Sequence, residues 1–178
     1  MGLDIATGKH PGTTRRISKY PLNQGLVLVD LPGFGRVARG SKRLEEKIKG
    51  QILDFLASNA ERLALAVHVL DISTFREVTR RLAKKGFISV DVEMVLFLAK
   101  TLGEFPLVAA NKIDRTNGET LEANLTAFRD QIRLGQPEPT SGYIFPVSAK
   151  KGDGLGALKA AIHEKLVAKG YRTPLKIC

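Results

Sequence analysis

Short uninterrupted apolar runs alternate along the chain with longer stretches in which apolar residues recur every three to four positions. The runs at residues 26–29, 63–70, 107–110 and 143–147 predict buried strands, because a strand covered on both faces has no polar side to show. Residues 17–22 are more polar and predict an edge strand, turned by Asn23-Gln24-Gly25 into the buried run at 26–29 as an antiparallel neighbour. Helical spacing predicts one helix after Ser41, with Leu44, Ile48, Ile52, Phe55 and Leu56 on one face. A second is capped at Ser89, carries Asp91 and Glu93 in its first turn, and runs through Val92, Val95, Leu96 and Ala99. A third is marked by Leu121, Leu125, Phe128 and Ile132, and a fourth by Leu155, Leu158, Ile162 and Leu166, stopping at Gly170 as its C′ residue. Between Thr74 and Gly86 lies a basic insertion with Arg76, Arg80, Arg81, Lys84 and Lys85. Strands alternating with helices predict an α/β three-layer sandwich, a mostly parallel sheet with one antiparallel edge strand. No repeat, low-complexity tract or linker interrupts the pattern, so residues 1–178 are expected to form one domain.

Three of the predicted strands end in residues suited to chemistry, where ligands of open α/β sheets bind. The first is Asp30-Leu31-Pro32-Gly33, the second Asn111-Lys112-Ile113-Asp114, the third Ser148-Ala149-Lys150. An ionised Asp114 has acceptors and no donor, so it can take the N1–H and 2-amino group of guanine together. Adenine offers no such pair, and a site built on one rejects the analogue lacking it by roughly 10⁴–10⁵-fold. Lys112 can lay its methylene stem along a base while its ammonium stays wet, and Asn111 can tie its loop to a neighbouring one. In His10-Pro11-Gly12-Thr13-Thr14-Arg15-Arg16, a threonine can offer its hydroxyl to Mg²⁺ and its N–H to a γ-phosphate; the same residues also read as a plain turn into a strand. His68 sits inside a predicted strand and His10 and His163 lie far from it, which favours a structural histidine over a metal ligand. Gly152, Gly154 and Gly156 do not have the spacing of a dinucleotide fingerprint.

Composition narrows the classes. With 178 residues the chain is long enough for a proper core, and no stretch approaches the roughly 20 apolar residues of a membrane span. The N-terminus shows no basic segment followed by an apolar one, so secretion is not indicated, and Cys178 as the sole cysteine excludes an internal disulfide. A soluble, cytoplasmic monomer is expected, with no membrane partner. The net charge of +10 favours a polyanion such as RNA through counterion release and steering.

Gly8-Lys9-His10-Pro11-Gly12-Thr13-Thr14, Leu28-Val29-Asp30-Leu31-Pro32-Gly33-Phe34-Gly35, Asn111-Lys112-Ile113-Asp114 and Phe145-Pro146-Val147-Ser148-Ala149-Lys150 together resemble the EngB-type GTP-binding proteins of the translation-factor-related GTPase class. The insertion ahead of Asp91-Val92-Glu93-Met94 looks like their archaeal branch. The resemblance implies a P-loop GTPase-like fold that binds GTP and GDP with Mg²⁺. Thr14 would be the catalytic switch threonine and a direct metal ligand, within the nucleotide-contacting loop Gly12, Thr13, Thr14, Arg15 and Arg16. Asp30 would hold the metal through water, and Leu31, Pro32 and Gly33 would pass the γ-phosphate, with the Gly33 N–H donating to it. Asn111, Lys112, Ile113 and Asp114 would read guanine, flanked by Ser148, Ala149 and Lys150, with the Ala149 N–H donating to guanine O6. The ribosome large subunit or its rRNA is the implied partner, in subunit assembly, and the family is also associated with cell division and septation.

The sequence departs from that family in one respect. A GTPase wraps the phosphates in G-x-x-x-x-G-K-[ST], and no such run occurs in these residues. The expectation is therefore of a GTPase domain that is incomplete at its N-terminus, its first strand and P-loop missing, and inactive in hydrolysis as written. That strand would lie inside the sheet, beside the strand ending at Leu70, and its loss would expose apolar edges. Phe34 stands where many GTPases place a water-orienting glutamine, which implies slow intrinsic hydrolysis or a K⁺ ion beside the phosphates. Two function classes fit: a GTP-hydrolysing assembly switch, and a non-hydrolysing basic ribosome- or RNA-binding module that keeps the base-reading loops.

Overall fold

The computed structural model describes residues 17–33, 42–135 and 142–172. The expected features at residues 10–16, Phe34, Ser41 and the loop 136–141 lie outside the described residues. The chain divides into two compact units, residues 1–60 and 61–178.

In the first unit, β1 (Ser18–Pro21) pairs antiparallel with β2 (Val27–Asp30) in the register Ser18↔Asp30 to Pro21↔Val27. The link is a short 3₁₀ turn over Asn23–Gly25, closed by Leu22 N–H donating to Leu26 O at 2.7 Å. Helix α1 (Lys42–Ser58) follows, with Ile48, Ile52 and Leu56 buried at the predicted four-residue spacing. Lys19 Nζ lies 5.6 Å from the centre of the Phe55 ring, so β1 and α1 also meet through a cation–π contact.

The second unit is built on a parallel sheet of order β3 (Val67–Asp71), β4 (Leu107–Asn111), β5 (Ile144–Pro146), paired Val67↔Leu107 and Val108↔Ile144 onward. Its helices are α2 (Phe75–Ala83), α3 (Val90–Leu102), α4 (Gly118–Gly135) and α5 (Leu155–Ala168). Alternation along the strands sends Leu70, Val108 and Ala110 into a core with Val92, Val95, Leu125, Phe128 and Ile132 of α3 and α4. Leu107, Ala109 and Val147 face the other way, against Leu158 and Ile162 of α5. A parallel sheet with helices on both faces and an antiparallel pair make up the α/β architecture expected from the sequence; among the described residues β1 and β2 form a sheet of their own. Cover on the α5 side stops short of β3: Val67 and Val69 are 39% and 59% exposed, while Leu107 and Ala109 beside them are 1% and 3% exposed.

Two local differences have physical causes. Strand β3 begins at Val67 rather than Leu63, because β4 offers a partner only from Leu107. The basic insertion contains a helix: Phe75, Thr79 and Leu82 recur at positions i, i+4 and i+7, giving α2 an inner stripe that its cations obscure in sequence. Its N-terminus is capped from α4, where Asn124 Oδ1 accepts from Arg76 N–H at 3.1 Å and Asn124 Nδ2 donates to Ser73 O at 3.2 Å. The Phe75 and Phe128 rings meet edge-to-face, 5.3 Å apart, at the same junction. Ser89 does occupy the N-cap of α3, but through its carbonyl, which accepts from Glu93 N–H at 3.0 Å; its hydroxyl makes no capping bond. His68 Nε2 lies 3.0 Å from Asp91 Oδ1, so β3 and α3 are joined by a histidine with a structural partner.

Candidate nucleotide-binding site

The loops that leave β4 and β5 are fastened to each other. Asn111 Oδ1 accepts from Lys112 N–H at 2.7 Å and from Ala149 N–H at 3.0 Å. Ile113 N–H donates to Val147 O at 3.2 Å, and Val147 N–H to Ala110 O at 2.9 Å. The fully buried Ser148 hydroxyl donates to Asp114 Oδ1 at 2.7 Å and accepts from Lys151 N–H at 3.1 Å, so both its roles are filled. Asn111, Lys112, Ile113 and Asp114 are thereby brought against Ser148, Ala149 and Lys150, although 34 residues separate Asp114 from Ser148.

The Ser148 hydroxyl, chiefly, holds the Asp114 carboxyl below the usual aspartate range; partial desolvation opposes it, while its own backbone N–H and the charges of Lys150 and Lys151 assist. Asp114 is half exposed and ionised at neutral pH, and a carboxylate has acceptor capacity beyond its bond to Ser148. That is the electrostatic state in which it can pair with two adjacent N–H donors. The Ala149 N–H, a candidate donor to a base carbonyl, is satisfied by Asn111 Oδ1, so a base oxygen there would share it.

Lys112 adopts the left-handed backbone region at φ 69°, ψ 33°, the sole non-glycine with positive φ among the described residues. Its ammonium explains how the turn is held: Lys112 Nζ donates to Asp71 Oδ2 at 2.6 Å. Asp71 ends β3 directly beside Asn111 and also accepts from the Ser73 N–H at 3.1 Å and hydroxyl at 2.6 Å. Partial burial pushes the Asp71 carboxyl up, but the bonds from Lys112 and Ser73 and the lysine charge outweigh it, and the net shift is downward.

Asp71, Ser73 and Gly154 are the site's members that sequence reading missed. An Asp at the end of the strand before the N-K-I-D strand was a usable signal for the first, since parallel neighbours place strand ends side by side. Gly154 closes the β5 loop at φ +71°, and a Cβ on it would stand 2.1 Å from Pro146 O and 3.3 Å from Val147 Cα. Ser148 N–H donates to Asp153 O at 2.9 Å across the same loop.

In the first unit, Asp30 ends β2 half exposed; Leu31 is half-buried, Pro32 buried and Gly33 exposed. The Asp30 carboxylate makes no ion pair or side-chain hydrogen bond with another described residue. Gly12, Thr13, Thr14, Arg15 and Arg16 lie outside the described residues. Among the described residues no group of three His, Cys, Asp or Glu side chains could hold a metal ion.

A family model described as a 50S ribosome-binding GTPase matches residues 2–112, a stretch that includes the D-L-P-G run and reaches the N-K of N-K-I-D. Fold and loops together define a GTPase-class domain. The probable GTP-binding protein EngB of Methanopyrus kandleri is 36% identical over 169 residues, 94% of this chain and 82% of that protein. Its counterpart in Archaeoglobus fulgidus is 33% identical over 98% of this chain and 86% of its own length. A crystal structure of a probable GTP-binding protein engB superposes with a TM-score of 0.76 at 30% identity, covering 86% of this chain and 83% of that one. The chain belongs to the EngB family of GTP-binding proteins.

Proposed function

We propose that this protein selects guanine nucleotides through Asp114 and serves as a nucleotide-dependent switch in large ribosomal subunit assembly, the role from which the family's cell-division association would follow. The observation that carries the reading is the hydroxyl bridge from Ser148 to Asp114, which fixes an ionised carboxylate in the loop after β4. Asn111, by clamping Ala149 N–H, keeps the two loops in one arrangement, so recognition needs little ordering on binding.

Mg²⁺, when bound, would neutralise charge on the β- and γ-phosphates. Asp30 fits a water-mediated hold on that ion because its carboxylate is partly exposed and uncommitted among the described residues; Thr14 is the proposed direct ligand. Gly33 lies outside the left-handed region, and a side chain there would meet no described residue within 4 Å, so among the described residues neither conformation nor packing calls for glycine. Close approach of a phosphate would. Phe34 stands where many GTPases place a water-orienting glutamine, so turnover is expected to be slow.

The test is nucleotide binding by fluorescent GDP and GTP with ATP and XTP as competitors. Guanine should be preferred, and Asp114→Asn should shift preference toward xanthine, because an amide can donate to the C2 carbonyl. Equal affinity for all three bases in the wild type, or an unchanged order in Asp114→Asn, would refute base reading by this loop. A second reading, a basic RNA-binding module without hydrolysis, is favoured by the exposed cations of α2; RNA binding with no guanine preference is its signature.

A further inference from the structure

The outer side of α2 and the segment that follows it carry charge and apolar surface in excess of what the fold uses. Residues 76–88 hold five cations and one carboxylate, Glu77. Phe75 and Thr79 are buried against the core and Leu82 is half-buried, while Arg76, Arg80 and Lys84 run one above the other on the exposed side. Arg81 pairs loosely with Glu77 at 3.4 Å; among the described residues Arg80, Lys84 and Lys85 meet no acidic partner. Cations in a last turn suit the helix dipole, but Arg76 lies in the first turn, where the dipole disfavours it. Helix stability does not account for the whole row.

The end of α2 adds an aromatic. Gly86, at φ +72°, is the C′ residue of a Schellman motif: its N–H donates to Ala83 O at 3.0 Å and Phe87 N–H to Leu82 O at 3.1 Å. The residue after such a glycine commonly packs back on the helix, here on Leu82. Phe87 instead remains 63% exposed and Ile88 60%, with Val78 and Val90 also exposed nearby. The hydrogen bonds thus hold an outward phenyl ring within one turn of Lys84 and Lys85, with Arg80 and Arg81 one turn further back along α2.

We propose that α2 and residues 84–88 form an RNA-docking surface, in which Arg80, Lys84 and Lys85 contact backbone phosphates and Phe87 stacks on an unpaired base. The charge row supplies the salt-dependent part of such binding, and a ring among cations supplies a platform for any base. The proposal rests on the reading that the partner is RNA, and assigns that partner a place.

The experiment is fluorescence anisotropy of the full chain with a labelled 20-nucleotide single-stranded RNA, across a salt series. An Arg80→Ala/Lys84→Ala/Lys85→Ala variant should lose about 10- to 100-fold in affinity at moderate salt and flatten the log–log salt slope by about 2. Phe87→Ala should lose about tenfold with the slope unchanged, since stacking releases no counterions. A control variant removing three exposed cations elsewhere, Lys47, Lys100 and Lys159, should change affinity much less. A wild type that ignores RNA, or binds only vesicles of anionic lipid, overturns both the RNA reading and this surface. A wild type that binds RNA but loses no more in the α2 variant than in the control overturns the surface alone.

Discussion

Lys112 Nζ and Asp71 Oδ2 lie 2.6 Å apart, so the residue in the left-handed turn after β4 is anchored to the end of the neighbouring parallel strand. The register that sets Asp71 opposite Asn111 makes this contact available, and the turn conformation aims the side chain at it. The pair positions the lysine of the loop proposed to read the base as well as joining two strands.

Asp71→Asn is expected to weaken guanine-nucleotide binding several-fold while leaving base preference intact, because Asp114 is untouched. Both side chains are more than a third exposed, so the stability lost should be only about 0–1 kcal/mol. Nucleotide titration and urea unfolding of the same variant separate the two effects. A change in preference among GTP, ATP and XTP would show that Asp71 does more than hold Lys112.

The strain at Lys112 can be measured by comparing two variants that both lack the ammonium. Lys112→Gly should be more stable than Lys112→Ala by about 0.5–1 kcal/mol, the left-handed penalty of an L-residue less the extra chain entropy of glycine. Equal stability in denaturant titrations would mean that the turn relaxes once the lysine is gone.

Gly154→Ala should destabilise the protein by about 2–4 kcal/mol, since the new methyl would meet backbone atoms that cannot swing aside and the φ is unfavourable. The displaced loop carries Ser148 and Ala149, so guanine affinity should fall with stability. Gly152→Ala is the comparison: its φ is also positive, but a Cβ there meets nothing within 4 Å, and the loss should be smaller.

Ser148→Ala removes the first cause of the lowered Asp114 pKa and takes the hydroxyl acceptor from the Lys151 N–H, so the loop after β5 should be destabilised. The folded pKa of Asp114 lies below its unfolded value, so its contribution is present above the ordinary aspartate range and disappears as pH falls through the folded pKa. In the variant that acid limb should move up, toward the ordinary aspartate value of 3.8. Carboxyl ¹³C NMR of Asp114 reads the shift directly; an unchanged midpoint would deny the hydroxyl its electrostatic role.

Acid should also loosen the tie between the connection that follows α3 and the C-terminal end of α5. Glu104 accepts from Lys165 and Lys169, each at 2.5 Å; partial burial pushes its pKa up, the two lysines pull it down, and the net shift is below 4.5. Its stabilisation is therefore complete above that value and lost on descent through the folded pKa. Glu104→Gln should lower Tm modestly at pH 7 and show a shallower fall of Tm from pH 5 to 3 than the wild type.

Most of the architecture was legible because its elements announce themselves locally. The apolar run 107–110 is buried on both sides in β4, and Leu125, Phe128 and Ile132 keep helical phase into the core. Gly170 stops α5 as its position implies, with its N–H donating to Val167 O at 2.9 Å. Helix α2 was hidden because the five cations of residues 74–86 outweigh its three inward residues along the sequence. Asn111, Lys112 and Asp114 stood out because their chemistry is written in adjacent positions at a strand end. Asp71 and Gly154 did not, since each matters only for what lies across space from it.

The sequence by itself determined the alternation of strands and helices, the candidate nucleotide-binding residues at the strand ends and the positive charge, all properties of neighbouring residues or of the chain's sum. Tertiary structure decided that Ser148 would hold Asp114, that Asp71 would take the ammonium of Lys112, and that Phe87 would stand outside among cations. The two hydrogen bonds join residues 34 and 41 positions apart, fixed by strand register and loop closure, so no local window contains both partners; the exposure of Phe87 depends on what the rest of the fold leaves uncovered.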